Sequence, residues 1–248
     1  MSILQKNLSN VVMMYMVTRT NHERIDAMPP GLDYEVEDKE HMKVLIENGK
    51  RNAWMYDIYN DVLQVSWLYG GQGYHFIWCD AEPKVINEGG RVISVSDSEH
   101  DVIRDSLQFV SSVHREVGGT VTQEAVFAGW EIKERMWPRL VNKAFAYRLP
   151  VPFSLMSDPM RTHQTTNYLL SLDHIYTQGR SYNRRLTSLA DVLTYWNYGD
   201  RDKYPTPETL ADAICTDPVK AATIAEIYLQ DMHKVTLDYY GITQQRGE

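Results

Sequence analysis

The sequence has little cysteine, no long apolar run and no excess of positive charge. Its 248 residues include two cysteines, Cys79 and Cys215, which are too few and too far apart for a disulfide framework or a zinc finger. This cysteine content is typical of a reducing compartment, so we expect a cytoplasmic protein. No apolar run reaches the roughly 20 residues that span a bilayer, so we predict no membrane partner.

Basic residues are outnumbered by acidic ones. The sequence holds 25 Lys and Arg against 33 Asp and Glu, which gives a formal net charge of -8. Binding to nucleic acid would therefore require a local basic patch rather than bulk charge. The sequence also lacks a Gly-rich phosphate loop ending in Lys-Ser or Lys-Thr, a Gly-x-Ser-x-Gly elbow and a zinc-binding spacing of histidines. These absences argue against P-loop NTPases, α/β-hydrolases and zinc peptidases.

Strand-like and helical segments alternate along the chain. The apolar run Val11 to Val17 predicts a buried strand, and two apolar runs around Gly70-Gly71-Gln72-Gly73 predict a β-hairpin. Ser96 and Glu99 form a possible capping box for a helix over 96–117 that Gly118-Gly119 would end. Further predictions are a strand over 125–130, a helix from Pro138, a strand over 168–176, a helix over 187–196, and a last helix from Asp217-Pro218 to a point before Gly241.

This order of elements predicts one mixed α/β domain over residues 1–248. The polar stretch at about 20–51 carries an acidic run and a Pro-Pro-Gly, which is typical of an insertion between strands.

One segment carries a more specific pattern. Residues 126–152 read VFAGWEIKERMWPRLVNKAFAYRLPVP. This segment resembles the second motif of the 3′–5′ exonuclease domain of B-family DNA polymerases and their stand-alone relatives. That motif has a strand ending in Gly-Trp/Phe/His-Asn-Ile, then Phe-Asp-x-Pro-x-Leu and Asn-Arg-Ala. The matching residues are Gly129, Trp130, Ile132, Pro138, Leu140, Asn142 and Ala144.

The resemblance implies a ribonuclease-H-like fold, a mixed sheet flanked by helices. It also implies two-metal cleavage of phosphodiesters with Mg²⁺ or Mn²⁺, which needs a cluster of carboxylates. In the family, these come from the first strand, from the start of the motif II helix and from the last helix.

Most of these acids are missing here. The motif II Asp falls at Met136, and the first-strand Asp-x-Glu falls at Met16 to Thr18 or, in a competing alignment, at Asp57-Ile58-Tyr59. Asp231 matches the last-helix acid, as a residual metal ligand or as a carboxylate paired with Arg or Lys. Asp173 could face the same cleft as a second catalytic residue, and Glu131 or Glu134 could supply a substitute ligand.

A basic and aromatic stretch from Arg161 to Arg185 stands out in this acidic protein. Arginines suit phosphates and aromatic faces suit unstacked bases, as in single-strand binding. We predict a nucleic-acid interface formed by Arg161, Arg180, Tyr182, Arg184 and Arg185, together with Trp130 of the motif.

These patterns favour a catalytically degenerate, exonuclease-like domain whose partner is single-stranded nucleic acid or a replication- or repair-type protein. Two alternatives stay open. One is an active two-metal 3′–5′ exonuclease that uses substitute carboxylates. The other is a protein–protein scaffold without affinity for nucleic acid.

Overall fold

A mixed β-sheet organises the molecule. The computed structural model describes residues 10–26, 60–156, 168–177 and 188–245. The strands of the large sheet are β1 (Val11–Thr20), β2 (Asn60–Tyr69), β3 (Gln72–Trp78), β4 (Lys84–Glu88), β5 (Arg91–Ser96), β8 (Val126–Gly129) and β9 (Leu169–Ser171), and a separate hairpin comprises β6 (Arg115–Val117) and β7 (Thr120–Gln123). The large sheet has the order β4-β5-β3-β2-β1-β8-β9. The pairs β1/β8, β8/β9 and β3/β5 are parallel, and the other neighbours are antiparallel.

Helices cover both faces of this sheet. They are α1 (His22–Asp26), α2 (Glu99–Val113), α3 (Trp137–Ala146), α4 (Asp173–Thr177), α5 (Leu189–Tyr195), α6 (Pro207–Thr216) and α7 (Pro218–Gln245). Helices α2 and α3 pack on one face, whereas α5, α6 and α7 pack on the other. Over the described ranges, no helix combines the length and the apolar character needed to cross a lipid bilayer.

Strand β1 lies at the centre and contributes to both cores, as its continuous apolar run predicts. Val12 and Met14 pack into the core under α2 and α3. Val11 and Met13 pack into the core under the other helices. Successive side chains of a strand point to opposite faces, so a strand covered on both sides is apolar at every position. The predicted α/β class is therefore confirmed.

The predicted hairpin is confirmed, but the predicted helix limits are partly wrong. Gly70 and Gly71 turn between β2 and β3 with φ of 58° and 80°, values that favour glycine. The N-cap of α2 is Ser98, whose side chain accepts from the Asp101 amide, whereas Ser96 ends β5. Helix α2 ends at Val113, and Gly118-Gly119 instead forms the turn between β6 and β7.

Two other boundaries also differ from the prediction. The strand predicted over 168–176 is limited to β9, because α4 begins at Asp173. The last helix continues through Gly241 to Gln245. Strands β4 to β7 and helices α1, α4 and α6 were not predicted. Beyond Asp26, the predicted acidic insertion lies outside the described residues.

Candidate functional site

A cleft of about 260 Å³ opens where β1 extends beyond the end of β8. Strand β8 pairs with Val11 to Met13 and ends at Gly129, whereas β1 continues to Thr20. Crevices at the carboxyl ends of parallel strands are common ligand sites in α/β sheets. The cleft is lined by β1, by the turn after β8, by the first turns of the helical segment that follows it and by α5. The lining residues are Tyr15, Met16, Val17, Thr18, Trp130, Glu131, Arg135, Met136, Arg139 and Leu189.

The turn after β8 has an unusual backbone that shapes one wall of this cleft. A Cβ on Gly129 would lie 2.8 Å from the Met14 carbonyl oxygen and 2.8 Å from Met136 Cε, so only glycine fits there. Glu131 adopts the left-handed conformation, with φ of 52° and ψ of 32°, and a single π-helical turn follows over Ile132–Met136. This turn leads Met136 and α3 back towards β1.

Asp173 helps to hold the left-handed turn. It lies at the start of α4, not in a strand, and is fully buried. Its Oδ1 accepts the Glu131 backbone N–H at 3.1 Å and lies 2.6 Å from Ser171 Oγ. The structure thus places this predicted catalytic residue directly behind the cleft wall, where it supports Glu131. A catalytic role for Asp173 stays a prediction.

Two arginines give the cleft its charge. Arg139, on the first turn of α3, is 5% exposed, and its guanidinium donates to Thr18 Oγ1 at 3.1 Å. Arg135 is more exposed and pairs with Glu131 Oε2 at 2.9 Å. Two guanidinium groups therefore face one carboxylate among the lining residues. The described lining residues, two Arg and one Glu, thus carry a net charge of +1 in a protein whose net charge is -8.

The cleft also contains the positions at which the sequence resemblance predicts catalytic acids and this sequence has other residues. Met16, Thr18 and Met136 all line it, although they are far apart in the chain. Trp130, a predicted nucleic-acid contact, lines it as well. The competing position for the first acids, Asp57-Ile58-Tyr59, lies outside the described residues. So do the other predicted nucleic-acid contacts, Arg161, Arg180, Tyr182, Arg184 and Arg185.

Asp231 has a different environment. It is buried on α7, and its Oδ2 accepts from Lys203 Nζ at 2.5 Å and from the Tyr204 hydroxyl at 2.8 Å. Lys234 Nζ lies 3.3 Å from Oδ1. Burial and the bond to Asp231 raise the pKa of Tyr204, which keeps this hydroxyl protonated as a donor. Of the two alternatives for Asp231, the lysine-paired carboxylate describes this geometry, and metal binding stays a prediction.

Three other possible metal ligands come together beside the cleft. Atoms of Glu134, Asp173 and His174 lie within 4.8 Å of one another, and Asp231 does not belong to this group. His174 Nε2 is 2.9 Å from Glu134 Oε1 and 3.9 Å from Asp173 Oδ2. Ser171 Oγ lies 2.8 Å from Glu134 Oε2, so β9 fixes the orientation of these carboxylates. Carboxylate groups suit Mg²⁺ and Mn²⁺, whereas imidazole suits Zn, Fe, Ni and Cu.

Sequence reasoning missed Arg135, Arg139 and His174 as members of these sites. The signal for Arg139 was present, because residues three apart share a helix face and Arg139 follows Met136 by three. For His174 the predicted strand was misleading, since it would place Asp173 and His174 on opposite faces.

Comparisons with known proteins do not assign the chain to a family. No protein-family model matches it. No curated protein matches it either. Its function is therefore best inferred from the residues of the cleft and the chemistry they allow.

Proposed function

We propose that the protein is a ribonuclease-H-like, 3′–5′ exonuclease-type domain that binds single-stranded nucleic acid in the cleft and does not cut it. One observation carries the proposal: Met16, Thr18 and Met136 line a single cleft, together with Trp130. The sequence resemblance assigned these positions to the catalytic acids without knowledge of the fold. Their convergence supports the resemblance, and the loss of their carboxylates argues against catalysis.

The topology is compatible with such a domain. An antiparallel meander, β1 to β3, continues through β1 into the parallel strands β8 and β9, with helices on both faces. The cleft lies where these two parts of the sheet meet, beside β1. The ribonuclease-H-like assignment is part of the proposal.

The residues of the cleft do not fit a pair of divalent ions. Mg²⁺ and Mn²⁺ prefer carboxylate and other oxygen ligands, whereas Met16 and Met136 offer thioether sulfurs. Glu131 has the one carboxylate among the described lining residues, and it is ion-paired with Arg135. The lining residues that the structure describes thus lack the carboxylate pair that a two-metal reaction needs, and no cleavage step follows from them.

The same residues are suited to binding. Arginine side chains at the cleft can contact phosphates, and the half-buried Trp130, whose ring also contacts that of Tyr176 at 6.3 Å, is the aromatic side chain that would stack on an unstacked base. The predicted phosphate contacts of Arg180, Arg184 and Arg185 belong to the same proposal, as does a cytoplasmic location. A replication- or repair-type protein remains the alternative partner.

The proposal predicts salt-dependent binding that needs Trp130. A labelled single-stranded oligonucleotide should bind in fluorescence-anisotropy titrations, and its affinity should fall as salt rises. Trp130→Ala should weaken binding by about 1–3 kcal/mol, the contribution of one stacked base. Phe153→Ala is the matched control, because Phe153 is 70% exposed and does not line the cleft.

Equal affinity of wild type and Trp130→Ala would remove the cleft from the interface. A protein without affinity for either single-stranded DNA or RNA would instead support the scaffold alternative.

One observation favours the second candidate, an active metal-dependent exonuclease. Glu134, Asp173 and His174 could hold an Mg²⁺ or Mn²⁺ ion beside the cleft. If so, Mn²⁺ at about 100 times its Kd should stabilise the fold by about 2.7 kcal/mol, which differential scanning fluorimetry would detect. Glu134→Gln should abolish this shift, whereas Glu88→Gln, on exposed β4, should retain it. An unchanged melting temperature in Mn²⁺ would reject this candidate.

A further inference from the structure

We propose that strand β4 pairs with β4 of a second copy of this chain, in antiparallel orientation, so that the two large sheets become one. The partner is another molecule of the same protein, and the interface is the outer edge of the sheet. This inference goes beyond the proposed function and does not depend on what the cleft binds.

The outer edge of β4 is open. Strand β5 pairs with one side of β4, and among the described strands none pairs with the other side. Four of the five residues of β4 are exposed, and Ile86 is half-buried. Val85 is an apolar side chain at 63% exposure. An edge of this kind presents unpaired backbone N–H and C=O groups, and it is a template for another strand.

The turn after β4 determines which backbone groups face this edge. Gly89-Gly90 has φ of 57° and 78°, which is typical of the two-residue turn of a β-hairpin. Glu88 and Arg91 flank the turn and are register partners, so they form the hydrogen-bonded pair that closes the hairpin. Because hydrogen-bonded positions alternate along an antiparallel pair, the N–H and C=O groups of Val85 and Asn87 point away from β5. Two donors and two acceptors are therefore available at the edge.

The side chains of β4 are complementary to a second copy that runs antiparallel. With Ile86 opposite Ile86 of the second copy, Val85 lies opposite Asn87, and these two residues exchange backbone hydrogen bonds. Lys84 then lies opposite Glu88 in a non-hydrogen-bonded pair, where side chains are closest. The two-fold symmetry forms this attractive pair twice. A parallel arrangement would instead bring like charges together.

Both charges are available for this contact. Lys84 and Glu88 are exposed, and within the described part of the chain neither has an ion-pair partner. Lysine on an edge strand normally discourages pairing. Here it does so for any strand that lacks an acid at the matching position, so the two charges favour a second copy over other strands.

The length of β4 limits the strength of the dimer. Its five residues span about 17 Å. This edge is too short to bury the roughly 1,200 Å² of a standard interface. We therefore expect a weak dimer that forms as the protein concentration rises. Strand β1, which lines the cleft, is four strands away from β4 across the sheet, so the cleft stays accessible in the dimer.

Sedimentation velocity at low ionic strength tests the inference. The mass of the wild-type protein should rise from that of a monomer towards that of a dimer as the concentration increases. Lys84→Glu and Glu88→Lys should each weaken self-association by about tenfold or more, because both ion pairs become repulsive. An equimolar mixture of the two variant chains should associate again, since each repelled charge then meets its opposite.

Glu124→Lys is the matched control. It makes the same change of charge as Glu88→Lys at an exposed position after β7, so it should dimerise like wild type. Circular dichroism checks the fold of each variant, and association of the mixed chains shows that both are folded at β4.

Three results would overturn the inference. The first is a wild-type protein that stays monomeric at all concentrations. The others are a dimer that both charge reversals leave unchanged, and variant chains that do not associate when mixed, because either would place the interface elsewhere. Each of them leaves the proposed function standing, since the cleft is not part of this interface.

Discussion

Replacing Lys143 by methionine is expected to lower the free energy of unfolding by about 3–5 kcal/mol, because a buried carboxylate then loses its cation. Lys143 on α3 and Glu99 on α2 are 6% and 5% exposed, and Nζ lies 2.8 Å from Oε1. Glu99 also accepts the Val62 amide at 2.7 Å and the Tyr147 hydroxyl at 2.6 Å. One carboxylate thus connects β2, α2, α3 and the residue that follows α3.

Urea unfolding at pH 7, followed by circular dichroism, measures this effect. Arg104→Met is the exposed control: it breaks an ion pair with Asp101 whose side chains are 41% and 29% exposed, and it should cost at most about 1 kcal/mol. The double variant Glu99→Met/Lys143→Met should recover part of the loss, because it leaves no buried charge alone. A Lys143→Met protein as stable as the control would contradict this description.

Acidification from pH 6.5 to 4 is expected to lower the free energy of unfolding by about 3 kcal/mol through His75 alone. Burial, and to a smaller extent the charge of Arg91, lower the pKa of His75 to about 4. The imidazole is fully buried in the sheet, where Nδ1 lies 3.0 Å from Ser66 Oγ. The unfolded chain binds a proton near pH 6.5 and the folded chain near pH 4. Stability is therefore complete above pH 6.5 and is lost as the pH falls towards 4.

The difference between wild type and His75→Gln isolates this contribution. His75→Gln should be less stable at pH 7 and should show a shallower loss between pH 6.5 and 4.5, whereas His22→Gln, at an exposed position, should follow wild type. Burial also lowers the pKa of His114 and His233, so a residual loss of the same sign is expected. Parallel curves for His75→Gln and wild type would exclude His75 as the cause.

Local signals predicted the central strand, the first hairpin and the helix at α5, whose observed capping box is formed by Ser188 and Asp191. Signals that depend on tertiary contacts were misleading. The sequence pattern predicts a capping role for Glu99, but its buried carboxylate forms an ion pair with Lys143 instead. Gly241 does not end α7, because a glycine inside a helix lowers its stability without forbidding it.

The candidate site was predicted in part. The motif alignment located Met16, Thr18 and Met136, and the fold brings them into one cleft. The lysine partner of Asp231 could not be predicted, because Lys203 lies 28 residues earlier in the sequence. It belongs to the segment between α5 and α6 and contacts Asp231 only in the folded chain. Charge partners so distant in sequence leave no periodic signal.

Degradation of a 5′-labelled single-stranded oligonucleotide in Mg²⁺ or Mn²⁺ tests the central claim most directly, because the proposed function assigns binding but no cleavage to the cleft. Wild type and Asp231→Ala are compared on one sequencing gel, with binding of the same oligonucleotide measured in parallel. The proposed function predicts an intact oligonucleotide with both proteins and measurable binding by wild type. A ladder shortened from the 3′ end by wild type would contradict it and show an active exonuclease. Loss of that ladder with Asp231→Ala would give Asp231 a part in the reaction, and its persistence would point to Glu134, Asp173 and His174 instead.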